Sequence, residues 1–463
     1  MARSRAQSVS DFTQGSIWKS MLQFFLPIML GTLLQQLYST VDSVILGRFV
    51  GKMALGAVGG SNTAIINLLV GFFVGLASGA SVIIAQYYGA KEEQLVRRGV
   101  YTAMLLSIAI GAFLTVVGIA SAQWLLRVLG TPEQLMQYSL DYLQWYYAGM
   151  IPAMIYNMGS GILRAVGDSK RPLLFLAVCT LVNTALDLLF VAVFRMEVKG
   201  AAIATSLSQF ICAALVLYTL FRRGDSCRLV IEKGNFDKGL LGRMLAIGLP
   251  AGIQSSLYSV TNLFVQKAVN SLGTDTVAAW SAFWKLDGIF WPVSGAIGVA
   301  VMTFVGQNYG ARKRERIYES IRVGCILHAA FSVLFAAGLY LARAPMLRLF
   351  CEDEAVVAQG IQIVGYIVLG YLTVFPNEIF SAAMRGTGNA VKPTLLTLFG
   401  ICVLRMALLI TVTFPNPSNL TIAICYPITW VVASLLFVLY YRFGKWMPAY
   451  APKEKVAEKK PVF

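Results

Sequence analysis

Twelve stretches of this chain are long and apolar enough to cross a bilayer, and that repetition constrains its fold more than any single motif. A spanning helix needs about 20 largely apolar residues, because hydrocarbon offers no partner to an unpaired backbone amide. Cut at its polar, Gly and Pro punctuation, the sequence places such stretches at 17–46, 54–84, 99–122, 138–162, 172–194, 200–221, 242–270, 277–305, 318–342, 360–383, 393–414 and 420–442. Only 13% of the 463 residues are charged, against about 25% in a typical soluble chain. Soluble and disordered classes are thereby excluded, and an all-α polytopic membrane protein is expected. The first stretch outruns a signal-peptide core and has no clear cleavage site, so it is expected to stay as a span.

Lys and Arg sort between alternate loops. Of the 38, one side receives 28, and the other receives seven: Arg48, Lys52, Arg127, Arg195, Lys199, Arg343 and Arg348. Lys267, Lys285 and Arg405 remain inside spans. Basic loops stay in the cytoplasm, so both termini are expected there, as an even number of spans requires. The net charge of +16 then reads as topology and contact with anionic lipid, with no role in nucleic-acid binding.

The two halves repeat one another. Ala85-Gln86-Tyr87-Tyr88-Gly89-Ala90-Lys91 recurs as Gly306-Gln307-Asn308-Tyr309-Gly310-Ala311-Arg312, 221 positions on. The same displacement carries Arg164-Ala165-Val166-Gly167-Asp168 onto Arg385-Gly386-Thr387-Gly388-Asn389 and Pro172 onto Pro393. Leu37-Tyr38-Ser39 matches Leu257-Tyr258-Ser259 at 220. Six spans per repeat give copies of the same orientation, related by a pseudo-twofold along the membrane normal. The expected organisation is an N-lobe at 1–221, a cytoplasmic connector at 222–241, a C-lobe at 242–442 and a cytoplasmic tail at 443–463.

Such an architecture suggests a secondary transporter with a cavity between lobes, powered without ATP: Gly47-Arg48-Phe49-Val50-Gly51-Lys52 is one residue short of a phosphate-binding loop and is followed by Met53. The seven Cys (Cys179, Cys212, Cys227, Cys325, Cys351, Cys402, Cys425) have no CxxC or metal-like spacing, which argues against a disulfide framework or a zinc site. The single His328 has no acid or nucleophile near it in sequence and reads as a packed core residue. An enzyme is not expected.

Ionisable groups inside spans are costly and point to function. The acids are Asp42, Asp187, Asp287 and Glu378. Asp42 stands seven, four and three residues after Gln35, Tyr38 and Ser39, on one helical face that is expected to line the cavity. Asn183 and Asp187 are i and i+4, and Thr205 opens the next span, so Asp42, Asp187 and Thr205 lie within about 10 Å of the outer ends of their helices. Two carboxylates, an amide and a hydroxyl form an oxygen set suited to Na+, and the same carboxylates can take up and release protons. Oxygen ligands do not decide between the two ions, and an Asn–Asp hydrogen bond that merely pins two helices is the plain alternative.

In the second half Asn262 replaces Asp42, and Leu404 with Leu408 replace Asn183 and Asp187, so the ion site is expected in the N-lobe alone. The C-lobe offers Lys267, Lys285, Asp287, Glu378 and Arg405, for internal salt bridges or for substrate. Substrate-cavity candidates are Gln35, Tyr38, Ser39, Asn157, Tyr258, Asn262 and Glu378, with aromatic residues such as Tyr146, Tyr147, Trp280, Trp284 and Trp291 available for cation-π contact. Pro27 removes a helix hydrogen bond below Asp42 and is a hinge candidate.

Gln35-Gln36-Leu37-Tyr38-Ser39-Thr40-Val41-Asp42, the two Gln-x-Tyr-Gly-Ala-basic loops, the two Arg-x-x-Gly-polar loops, and Asn183 with Asp187 resemble, along essentially the whole chain, the multidrug and toxic compound extrusion (MATE) transporters, in their DinF-like prokaryotic branch. The resemblance implies a monomeric antiporter of the cytoplasmic membrane that exports amphipathic, often cationic organic compounds by alternating access of two six-helix lobes, in exchange for Na+ or H+ and without other cofactors. It implies a coupling site at Asp42, Asn183, Asp187 and Thr205, and a substrate-facing surface at Gln35 and Tyr38. Other branches of the family place acids on C-lobe helices, matched here at best by Glu378. A lipid-linked oligosaccharide flippase of the wider superfamily is the alternative, for which Lys267, Lys285 and Arg405 supply few cations.

Overall fold

The computed structural model describes residues 11–350 and 353–450, which leaves Cys351 and the end of the expected tail outside the described residues. Twelve helical segments succeed one another among them. α1 is Ile17–Phe49. α2 is Thr63–Gly89, entered through Lys52–Ala57 and a π-helical turn Val58–Asn62. α3 is Glu93–Val128, and α4 is Glu133–Ala148 and Met150–Ala165, broken at Gly149. α5 is Lys170–Asp187 with a π-helical continuation Leu188–Val193, and α6 is Glu197–Arg222. α7 is Lys238–Asn270, α8 is Thr274–Gly310 and α9 is Arg314–Arg348. α10 runs Glu354–Ile367, a tighter turn Val368–Thr373, then Phe375–Gly386. α11 alternates Val391–Thr397, a π-turn Leu398–Val403, Leu404–Leu408 and a second π-turn Leu409–Thr413. α12 is Asn419–Ala423 and Cys425–Phe443.

Ten of these segments are each long and apolar enough to span a membrane among the described residues. The others are the broken α4 and α7, which carries Gln254, Asn262, Gln266 and Lys267. Each expected span overlaps one observed segment. The observed ends run further, as at α3, because helices continue past hydrocarbon into the polar loops.

The halves meet along α2, which packs most extensively on α7, and along α8, which packs on α1 and α2. At the α2–α7 crossing a Cβ built on Gly79 would stand 2.2 Å from the Met244 carbonyl, and one on Gly248 would stand 2.2 Å from the Leu76 carbonyl. Only hydrogen fits between the backbones there. Hydrocarbon provides no hydrophobic drive for helix pairing, so such close small-residue packing is what holds spans together.

The repeated Gln motif closes the end of the bundle where the basic loops lie. Gln86 Nε2 donates to the Gly386 carbonyl at 2.9 Å, and Gln307 Nε2 donates to the Ala165 carbonyl at 2.8 Å. Donors and acceptors are repeat equivalents, so one bond is the pseudo-twofold image of the other. Gly89 and Gly310 let the same turns touch: Cβ atoms there would fall 1.9 Å from Gln307 O and 1.8 Å from Gln86 O. The segment before α1 seals this end, with Phe12 stacked 3.9 Å from Phe304 and its amide donating to Gln307 Oε1.

The connector between halves is pinned by Arg223, which donates to Asp225 at 2.5–3.0 Å and comes within 3.6 Å of Asp168. Burial opposes ionisation of Asp225, yet these bonds hold its carboxyl below the usual range. His328 is fully buried between the hydroxyls of Ser294 (2.7 Å) and Ser332 (3.2 Å), a packed core residue as expected. The cysteine reading needs one correction. Cys179 on α5 and Cys212 on α6 are paired, 33 residues apart, because neighbouring helices bring together positions that spacing within one loop does not reveal.

Gly248→Ala places a methyl group against the α2 backbone and is expected to cost about 1–3 kcal/mol. Gly224→Ala, where a Cβ would meet nothing within 4 Å, serves as control. Detergent-extracted protein followed by size-exclusion chromatography checks this: the first variant should lose its monodisperse peak on mild heating, and the second should keep it.

Candidate functional site

Three helices of the N-lobe place the expected acids together. α1 packs against α5 and touches α6, and α5 packs against α6. In that junction Asp42, Asn183, Asp187 and Thr205 are 6%, 1%, 0% and 6% exposed. Asp42 and Asp187 are near enough for their charges to interact. Among the described residues neither forms an ion pair, and Asp42 Oδ1, both carboxylate oxygens of Asp187 and Asn183 Nδ2 have no hydrogen-bond partner. An Asn183–Asp187 bond that merely pins helices is therefore not formed. Buried oxygens without donors suit a hard cation or shared protons.

Tyr38 turns into this junction, and its hydroxyl donates to Thr205 Oγ1 at 3.0 Å, tying α1 to α6. Tyr142 of α4 also faces the acids, interacting with the charges of Asp42 and Asp187. The sequence reading singled out Tyr146 and missed Tyr142, although the two lie one helical turn apart. The π-helical continuation of α5 starts at the residue after Asp187; such irregular turns gather at functional positions.

Gln35, Ser39 and Asn157 are not brought into this cluster. Gln35 and Ser39 are exposed on α1. Their neighbour Gln36 reaches the other half, donating to the Gly288 carbonyl at 3.3 Å. Asn157 donates to Ala153 of its own helix at 2.9 Å. α1 passes through Pro27 as one helix.

Tyr258, Asn262 and Glu378 line a separate cavity of about 460 Å³ in the C-lobe, with Trp284, Asp287 and Trp291. Gln266, Arg405, Tyr426 and Trp430 complete it. That size lies within the roughly 300–1,000 Å³ of small-molecule sites. Asp287 accepts from the Tyr371 hydroxyl at 2.5 Å and from Trp291 Nε1 at 3.0 Å. Its partners are thus neutral donors; Lys267 and Lys285 are exposed. Trp280 is fully buried with its Nε1 on Asn419, a packing role. An apolar aromatic wall with two carboxylates can hold a flat organic cation by stacking and charge.

The profile of the MatE family matches residues 27–189 and again 250–411, once in each half. A probable multidrug resistance protein of Bacillus subtilis (strain 168), YpnP, is 30% identical over 437 residues, 94% of this chain and 97% of that one. The probable multidrug resistance protein NorM of Thermotoga maritima is 27% identical over 96% of each chain. The fold matches a MOP superfamily transporter from Pyrococcus furiosus with a TM-score of 0.87, at 22% identity, over 95% of this chain and 98% of that one. It also matches an outward-facing MATE family transporter with a TM-score of 0.88, at the same identity and coverage. With the profile met in both halves and the relatives aligned nearly end to end, the chain belongs to the MatE family of multi-pass membrane transporters.

Proposed function

We propose that this protein exports small organic compounds, cationic ones among them, across the cytoplasmic membrane in exchange for Na+ or H+ bound at Asp42 and Asp187. The observation that carries this reading is the pair of buried carboxylates whose oxygens find no donor in the protein. Two like charges taken out of water together are costly unless a cation or proton joins them. An incoming ion removes that repulsion and changes how α1 sits on α5 and α6. Relatives named as multidrug resistance proteins support the substrate class. The 28-to-7 basic bias supports cytoplasmic termini. The chain acts as a monomer in this scheme.

The bonds from Gln86 and Gln307 shut the basic, cytoplasmic end. The coupling ion then enters from outside, and opening inward requires both bonds to break. Pro27 leaves the Gln23 carbonyl without its helical donor, so α1 can bend there as the charge on Asp42 is gained or lost. Occupancy by ion and by substrate need only disfavour one another for export to be coupled. A flippase for pyrophosphate-linked lipids finds less support, since Lys267 and Lys285 lie outside the C-lobe cavity and Arg405 is the basic residue on its wall.

Proteoliposomes loaded with ethidium, under a Na+ gradient and a pH gradient applied separately, test the coupling. One gradient should drive efflux, and Asp42→Asn or Asp187→Asn should slow it by about tenfold or more, equivalent to ~1.4 kcal/mol. Undiminished export in both variants would refute the proposal.

Gln86→Ala leaves the buried Gly386 carbonyl without its donor, at a cost of about 1–3 kcal/mol to the closed cytoplasmic end. Hydrogen exchange at the last turns of α2 and α8 should quicken in that variant and in Gln307→Ala. Equal protection in wild type and both variants would remove the clasp from the mechanism.

A further inference from the structure

A second cavity, of about 550 Å³, opens at the end of the bundle where the basic loops lie, and neither the ion site nor the C-lobe cavity uses it. Both halves line it: Tyr87, Lys91 and Glu92 come from the first, and Arg243, Arg312 and Lys313 from the second. Glu92 is the one acid on this wall, against four bases. Among the described residues, Lys91, Arg243 and Lys313 form no ion pair, and neither does Glu92. Residues 1–10 and 451–463, at the two ends of the chain, bring Arg3, Arg5, Lys453, Lys455, Lys459 and Lys460 against Glu454 and Glu458, so they hold no surplus of acid to neutralise this charge.

Two of the bases stand at repeat-equivalent places. Lys91 and Arg312 both take the left-handed conformation, with φ of 61° and 57°, one residue beyond the caps of α2 and α8. Glycine or asparagine is the usual occupant of such a position, so a long basic chain there needs another reason. The helix dipole supplies part of it, because a cation is favoured at a helix C-terminus. It does not explain Lys313, which is the N-cap of α9, the end that disfavours a cation. Lys313 is the repeat counterpart of Glu92, so the second copy exchanges an acid for a base on this wall. The backbone amides of both turns bond to carbonyls of their own helices, which leaves recognition of a ligand to the side chains. Those are held in place: Arg243 lies over the Tyr87 ring at 5.2 Å, Arg312 over the Tyr450 ring at 5.9 Å, and Lys313 Nζ donates to the Thr13 carbonyl at 2.8 Å.

We infer that this cavity binds a multiply charged phosphate group, carried by a soluble anion or by a lipid headgroup, and that its occupant holds the two halves closed at this end. Lysine ammonium groups and arginine forks together suit the several oxygens and the charge of a phosphate. Lys91 belongs to one half and Arg243, Arg312 and Lys313 to the other, so parting the halves pulls the cradle apart. A ligand that binds only the closed arrangement stabilises it by mass action. The export reading is needed only for calling this end cytoplasmic, and binding is tested without any ion gradient.

Calorimetric titration of sodium triphosphate into the purified protein, in phosphatidylcholine nanodiscs at fixed ionic strength, tests the soluble source. Wild type should bind it, and Lys91→Gln combined with Arg243→Gln should weaken binding by about tenfold or more, as loss of two charge-assisted contacts predicts. Arg97→Gln combined with Arg228→Gln removes the same charge from exposed positions off the cavity wall, and should bind as wild type does. For the lipid source, part of the phosphatidylcholine is replaced with phosphatidic acid. In both arms hydrogen exchange is followed at the last turns of α2 and α8. It should slow in wild type and in the Arg97 and Arg228 double variant, but not in the Lys91 and Arg243 double variant. Protection by triphosphate, by phosphatidic acid or by both upholds the site and names its source. No protection of wild type in either arm overturns the inference whether or not the variants fold, and so does an equal response of the two double variants.

Discussion

The close contact of backbones at Gly79 and Gly248 sets the geometry on which the rest depends. Two six-helix halves in a bilayer gain nothing from hiding apolar surface from lipid, so they adhere only where their surfaces fit closely. The glycine crossing of α2 on α7 supplies that fit on one side of the pseudo-twofold. Its repeat image, α8 on α1, is built less tightly, with Gln36 reaching across to Gly288. The acid cluster hangs on the same α1. The acid cluster therefore sits on the helix of the less closely packed crossing.

The halves share a chain path but not a chemistry. The N-lobe gathers two acids, an amide and a hydroxyl with no basic partner; the C-lobe gathers aromatic rings, Asp287, Glu378 and Arg405. Buried charge in a membrane costs several kcal/mol per group unless it is paired. Such groups stand in two different places here, at different positions of the duplicated helices. An ion suits the first set, and an organic molecule with charged and flat parts suits the second.

Much of this was legible in the sequence because hydrophobic length, charge bias and repeated motifs are local properties. The twelve spans followed from apolar runs, and Asp42, Asn183, Asp187 and Thr205 fell together because helical spacing and depth are computable from position alone. Other features depend on tertiary contact. Gln86 and Gln307 were visible as a repeat, but nothing in a linear string of residues says that each donates to the other half. That the Tyr38 hydroxyl binds Thr205 while Gln35 and Ser39 stay exposed was likewise not legible, because the face of a half-buried helix depends on which neighbour covers it. Cys179 and Cys212 belong to the same class of surprise.

The π-turns show most plainly what periodicity hides. A 3.6-residue pattern assumes an unbroken helix, and under it Leu404 and Leu408 take the places of Asn183 and Asp187, with Arg405 as an unexplained charge. The structure keeps one π-turn at equivalent places in α5 and α11 and adds a second to α11 alone. Such turns are rare and gather at functional positions. In α5 the irregularity begins directly after an acid with no partner, and in α11 it surrounds a buried base. The same helix in each half thus combines a weak point in the backbone with a lone charge. In the export scheme proposed above, an ion or molecule that neutralises either charge acts directly beside an irregular turn of its own helix.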